Sequence, residues 1–168
     1  CGQAETTTAG GNVVVTLPLS EVHLWEAGAG RLYDLTITFG EDTVHSYFGL
    51  RNVTISGEKV LINGKSVFQR LVLDQGFYPD GIYTASTDEA LENDVKLSMA
   101  AGFNGARLHE KVFEPRFLYH CDRLGYLVWG EQGNWGMDPS APDGLKNFLP
   151  EWMEVVERDF NHPAIIGW

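Results

Sequence analysis

Four polar side chains close otherwise apolar runs in the second half of the sequence. They are Asp74 after Leu71-Val72-Leu73, Arg107 and His109 around Leu108, and Glu131 after Tyr126-Leu127-Val128-Trp129-Gly130. An arginine grips hydroxyls or a carboxylate through its planar fork, and a histidine exchanges protons near neutral pH. Two carboxylates, here Asp74 and Glu131, could divide acid and nucleophile roles between them. Trp129, Trp135, Phe77 and Tyr78 add flat apolar rings that suit the C–H face of a sugar ring. Each residue also has a plainer reading. Asp74 could cap a turn, Arg107 could pair with Asp74 or Glu131, His109 could be a satisfied core histidine, Glu131 could cap a loop, and the aromatic rings could be ordinary core.

The elements that must position these groups change character near residue 50. Before it, Val13 to Leu17 is β-rich, and Leu32 to Phe39 alternates apolar with polar residues, the period of a strand with one buried face. Gly40-Glu41-Asp42 reads as a turn and Thr43 to Leu50 as the next strand, which together suit part of a β-sandwich. Ser56-Gly57-Glu58-Lys59 predicts a hairpin, and Asn63-Gly64 a second tight turn into a strand ending at Asp74. From there strands and helices alternate. Ser86-Thr87-Asp88-Glu89 predicts a capping box with Ser86 as N-cap, before a helix striped by Leu91, Val95 and Met99. Phe103 to His109 predicts a strand. Pro115 opens a helix carrying Phe117, Cys121 and Leu124, and Gly125 stops it. Tyr126 to Trp129 is a buried strand, and Gly130 to about Lys146 a loop. A third helix then carries Leu149, Trp152, Val156 and Phe160, and Ala164 to Trp168 begins a fourth strand.

This rhythm means βαβ units and a parallel sheet, whose C-terminal strand ends line the active site in such folds. The sheet could be an open doubly wound one or a barrel. Gln75 to Gly81 is aromatic where a nucleotide fold would carry a glycine-rich phosphate loop, which favours the barrel.

Composition narrows the classes further. Apolar residues at 43% allow a core, and the formal net charge of −11 repels phosphate backbones, so nucleic acid is not an expected partner. No apolar run reaches the ~20 residues of a membrane-spanning helix. Cys1-Gly2-Gln3 has neither the basic nor the apolar region of a secretion signal, so none is expected. Cys1 and Cys121 form no metal-binding or disulfide pattern and do not set a compartment, and Cys121 falls on the apolar face of its helix.

Several short motifs occur in a telling order. They are Leu24-Trp25-Glu26 with Leu32-Tyr33-Asp34-Leu35, Phe48-Gly49-Leu50-Arg51, Leu61-Ile62-Asn63-Gly64-Lys65, the run GFNGAR at 102–107, CDRLGYLV at 121–128 and NHPAIIGW at 161–168. In this order they resemble glycoside hydrolase family 2, the group of β-galactosidases, β-glucuronidases and β-mannosidases. The resemblance runs from about Val13 to Trp168. The family's proline before Leu-Tyr is replaced by Ala29-Gly30-Arg31.

The resemblance implies the C-terminal strands of an immunoglobulin-like β-sandwich over 1–51, then the first half of a (β/α)8 TIM barrel over 52–168. It implies a carbohydrate substrate and retaining hydrolysis by two glutamates, both expected beyond the strand containing Trp168. No catalytic residue, metal ligand set or cofactor is therefore assigned within the chain. Arg107 matches the family's arginine after strand two. His109 matches a nearby histidine, although the family places two residues between them and only Leu108 intervenes here. Glu131 matches an acidic residue that contacts sugar or metal in some members. Asp74 and Gln75 stand where many members have arginine and histidine, which leaves sugar specificity open. Asp74, Arg107, His109, Glu131 and Trp135 are the expected substrate-binding residues. A non-catalytic carbohydrate-binding module built from a decayed barrel is the alternative. The isolated chain is expected to be inactive, and to be an excerpt of a larger molecule or self-associating.

Overall fold

A computed structural model describes residues 1–7, 10–138 and 140–168. The first ordered pair of strands is a hairpin, β1 (Tyr33–Phe39) and β2 (Asp42–Phe48), closed through Gly40 at φ +60°. Their antiparallel register sets Tyr33 opposite Phe48 and Ile37 opposite Val44. Strand alternation therefore gathers Tyr33, Leu35, Ile37 and Phe39 on one face and Asp34, Thr36 and Thr38 on the other. Only the root of the apolar face is covered. Tyr33 is buried and stacks on Phe48 at 5.0 Å, whereas Ile37, Val44 and Phe39 lie open, Phe39 at 77% exposure. The expected buried face exists as a pattern, but no second layer covers it among the described residues. The β-rich run Val13 to Leu17 forms no strand, and Val14 is almost fully exposed. β propensity without a pairing edge does not make a strand.

A three-stranded antiparallel sheet follows, with β3 (Val53–Ser56), β4 (Lys59–Ile62) and β5 (Lys65–Ser66). Gly57 turns the first hairpin, and Asn63 and Gly64, both at positive φ, turn the second.

The remainder is a parallel α/β unit of β6 (Leu71–Asp74), α1 (Asp88–Ala100), β7 (Gly105–Leu108), α2 (Pro115–Leu124), β8 (Leu127–Trp129), α3 (Pro142–Asp159) and β9 (Ile165–Gly167). The strands lie side by side in chain order, β6-β7-β8-β9, and every neighbouring pair is parallel. The order never reverses, unlike that of a doubly wound sheet. Helix starts differ in detail from the sequence reading. Thr87 is the N-cap of α1, its hydroxyl accepting from the Ala90 amide at 3.2 Å, so the cap lies one residue after Ser86. Pro142 opens α3 about a turn earlier than expected. Its preset φ suits a first helical turn, and the helix continues despite Gly144 and Pro150. No helix among the described residues is long and apolar enough to cross a membrane.

One core joins the two halves. Trp25 and Ile62 from the β-rich part pack into the same cluster as Val95, Phe117, Cys121, Leu127 and Val128. Gly125 ends α2 at φ +72°, where a Cβ would also lie only 2.5 Å from the Ala29 amide nitrogen, so the Glu26–Ala29 turn can seat against it. Arg51 donates to the carbonyls of Pro163 and Ile165 at 2.9 and 2.6 Å, holding the run into β9.

Asp122 sits at the centre of this junction with no exposure. Its Oδ2 accepts from Tyr47 at 2.8 Å and from His162 Nδ1 at 2.6 Å, its Oδ1 accepts from the Ala164 amide at 2.8 Å, and its carbonyl accepts from Trp25 Nε1 at 2.7 Å. Burial first, and the facing Asp122 charge second, push the Tyr47 phenol far above its ordinary value, so it remains a donor. Removing the carboxylate leaves three donors without their acceptor at a largely buried junction. Asp122→Ala should cost about 3 kcal/mol of stability. A urea midpoint unchanged from that of the parent chain would contradict this.

Candidate functional site

The register of the parallel sheet decides which side chains face the same way. Asp74 pairs with Leu108, and Leu73 pairs with Arg107, which pairs with Trp129. Ala106 and Leu108 are buried on the core side, and Arg107 projects from the opposite, open face. Trp129 stands on Arg107's face. Its Nε1 donates to Gln69 at 2.7 Å and its ring lies against Gly167, where a Cβ would come within 2.4 Å of the indole. Trp129 is thus committed to packing across that open face of the strands.

At the C-terminal ends of β7 and β8 the chain gathers a polar group. Arg107 Nε donates to Glu131 Oε2, and Glu131 Oε1 accepts from the Glu110 amide at 3.2 Å. Gln75, just after β6, donates through Nε2 to His109 Nδ1 at 2.9 Å, and the His109 backbone amide donates to the Asp74 carbonyl at 2.7 Å. Trp135 meets the His109 ring edge-on at 6.1 Å and is 83% exposed. Arg107, His109, Glu131 and Trp135 are therefore neighbours. Asp74 stands apart. Its Oδ1 accepts from the Gly76 amide at 2.8 Å, the self-capped turn that was its plainer reading. Glu131, likewise, is paired to an arginine, so the two carboxylates do not face each other as an acid–nucleophile pair.

Two further residues were missed in the sequence. Glu110 adopts φ +56°, rare for a side chain with a Cβ, and its Oε2 accepts from the amides of Asn134 and Trp135 at 2.7 and 3.2 Å. Nothing in its local sequence signals that backbone. Lys111 is nearly buried, donating to the carbonyls of Gly76 and Tyr83 at 3.0 and 2.7 Å, with its ammonium above the rings of Tyr83 and Phe113. It ties the aromatic loop after β6 to the end of β7. A lysine inside a Glu110-Lys111-Val112-Phe113 run reads as surface, which hid this role.

Charge follows from these contacts. Burial pushes the Asp74 carboxyl up, opposed by the Gly76 amide and raised further by Asp94. Burial likewise lowers Lys111. At Glu131 burial pushes the carboxyl up, but the hydrogen bonds from Arg107 and Glu110 and the Arg107 charge outweigh it, and the net result lies below the usual glutamate value. His109, Glu110 and Glu131 bring potential ligand atoms within 4.8 Å of one another. Their oxygens already accept from a guanidinium and from backbone amides, and His109 Nδ1 already accepts from Gln75. The donor set is that of a satisfied ion-pair network and fits a cation poorly.

The described residues thus form a parallel α/β unit that gathers an arginine–carboxylate pair, a histidine and an open indole beyond its C-terminal strand ends. No family model matches the chain. It is 30% identical, over 93% of its length, to a β-galactosidase of Alteromonas mediterranea, and 31% identical over the same share to one from Vibrio vulnificus. It spans only 16% of either relative. A solved β-glucuronidase from Ruminococcus gnavus in complex with D-glucuronic acid superposes with a TM-score of 0.82 at 25% identity. That match covers 90% of this chain and 27% of the glucuronidase chain. These similarities support a glycoside hydrolase family 2-like chain that corresponds to a small piece of such enzymes.

The Glu131 carboxyl has a depressed folded-state value, so the pair it makes is intact above the ordinary glutamate range and is lost as pH falls through the lowered value. A carbon-13 titration of Glu131 should show its midpoint below that of an exposed glutamate, and Arg107→Gln should move it upward. A midpoint unmoved by Arg107→Gln would disprove the pairing.

Proposed function

We propose that this chain is part of a retaining β-glycosidase, comprising the end of an immunoglobulin-like sandwich (1–51) and the first half of a (β/α)8 barrel (52–168). The observation that carries the reading is the gathering of Arg107, His109, Glu131 and Trp135 at the ends of parallel strands laid in chain order, in a chain homologous to β-galactosidases. A barrel needs strands that advance in one direction, and its mouth is where catalytic residues collect.

In this reading the chain binds and orients, and the reacting glutamates come from the rest of the parent. One protonates the leaving oxygen while the other attacks the anomeric carbon. Arg107, held by Glu131, presents its remaining N–H groups to sugar hydroxyls. His109 accepts at Nδ1 from Gln75, which places its ring proton on Nε2 as a donor toward the mouth. Trp135 offers its face to the pyranose ring. Asp74 and Lys111 shape the loop beside them and stay out of contact with the sugar.

The full-length parent, assayed on nitrophenyl β-galactoside, β-glucuronide and β-mannoside, should hydrolyse at least one. Arg107→Ala should reduce its kcat/KM about hundredfold. Sugar binding without turnover on any of the three would instead identify a carbohydrate-binding module. The 168-residue chain alone should cleave none of them. It should also self-associate in sedimentation, because Ile37, Phe39, Phe68 and Leu73 are exposed and the outer strands have unpaired edges. Turnover by a monomeric 168-residue chain would refute both expectations.

A further inference from the structure

We infer that Glu110 is a positioning residue, a latch that fixes the Glu131–Trp135 segment so that the indole of Trp135 forms a stacking wall for a pyranoside at the barrel mouth. The inference rests on the glycosidase reading for the ligand, and on geometry for the latch.

Three observations converge on Glu110. Its backbone takes a left-handed conformation that a side chain with a Cβ adopts only when its surroundings enforce it. Its carboxylate accepts from two successive amides, those of Asn134 and Trp135, and so grips the loop by its backbone immediately at the aromatic residue. The loop also lies directly on it. A Cβ at Gly133 would sit 3.1 Å from the Glu110 carbonyl oxygen, a tight approach that glycine eases. The Glu110 amide meanwhile donates to Glu131, whose other oxygen holds Arg107. One residue thus sets the indole and the arginine at a fixed separation.

The indole is unusual in being pinned yet bare. Trp135 is 83% exposed, meets His109 in a T-shaped contact, and has its backbone tied down by a carboxylate. An exposed ring whose backbone is anchored beside donor groups offers a ligand a preset surface. At 83% exposure the indole keeps most of its surface open beside this T-shaped contact, and His109 with Arg107 supplies donors near it. An apolar face flanked by donors matches a sugar ring, with C–H groups on one side and hydroxyls around the rim. The carboxylate does not touch the sugar, so its loss should weaken binding and spare the chemical step.

The test is a double-mutant cycle in the full-length parent. Glu110→Ala and Trp135→Ala should each raise KM about tenfold with kcat held within about twofold. The double variant should be no worse than either single one, because both remove the same wall. Glu110→Gln keeps an acceptor oxygen and should recover most of the affinity. Glu110→Gly relieves the left-handed backbone but lacks the carboxylate, and should behave like Glu110→Ala. Additive effects of the two substitutions, or a kcat loss as the main effect of Glu110→Ala, would overturn the latch. Limited proteolysis separates this from the glycosidase reading. Glu110→Ala should expose the Glu131–Trp135 segment to cleavage even if the parent hydrolyses no glycoside, and unchanged protection there would sink the inference by itself.

Discussion

A single buried carboxylate holds the two halves of this chain in one arrangement. Asp122 is inaccessible to water, and an isolated charge in such a place would be prohibitively costly. It is tolerated because donors arrive from separate parts of the chain: Tyr47 from the β-ribbon, His162 and the Ala164 amide from the approach to β9, while Trp25 satisfies the neighbouring carbonyl. Hydrophobic contact alone would let the ribbon slide over the α/β unit. The directional bonds, with Arg51 clamping the same approach, choose one seating.

That seating matters to the candidate site because β9 closes the described sheet against β8. The ends of β7 and β8 carry Arg107 and, just beyond, Glu131, and the spacing between parallel strands places the two within pairing distance. The electrostatics are graded around this point. Glu131 is kept charged by its cation despite partial burial, whereas Asp74, on the other face, is pushed toward its neutral form and satisfied by its own turn. Two carboxylates beyond the ends of one sheet thereby acquire different characters, set by the partners each one meets.

The sequence made much of this legible. The alternation of strand and helix, Pro115 and Gly125 around α2, and the glycine turns all follow from local rules and all occur. The polar residues closing β7 and β8 were visible for the same reason, since an ionisable side chain after an apolar strand stands out. Asp74 illustrates where pattern reading stops. Its position along the strand was clear, but its face depends on pairing with Leu108, which the linear sequence does not state. Glu110 and Lys111 were hidden because their roles come from a left-handed backbone and from long-range carbonyl contacts. The open apolar face of β1 and β2 was readable as a pattern, and nothing among the described residues covers its outer half.

The contact between Trp129 and Gly167 constrains how this sheet could diversify. A Cβ at Gly167 would lie inside the indole, so the missing side chain on one strand and the largest side chain on the next occupy one shared volume. Neither position can drift alone. Enlarging residue 167 requires shrinking residue 129, and the pair can exchange bulk only together, moving the filled space from β8 to β9. Because Trp129 lies in register with Arg107 on the neighbouring strand, such an exchange would reshape the surface beside the arginine–glutamate pair.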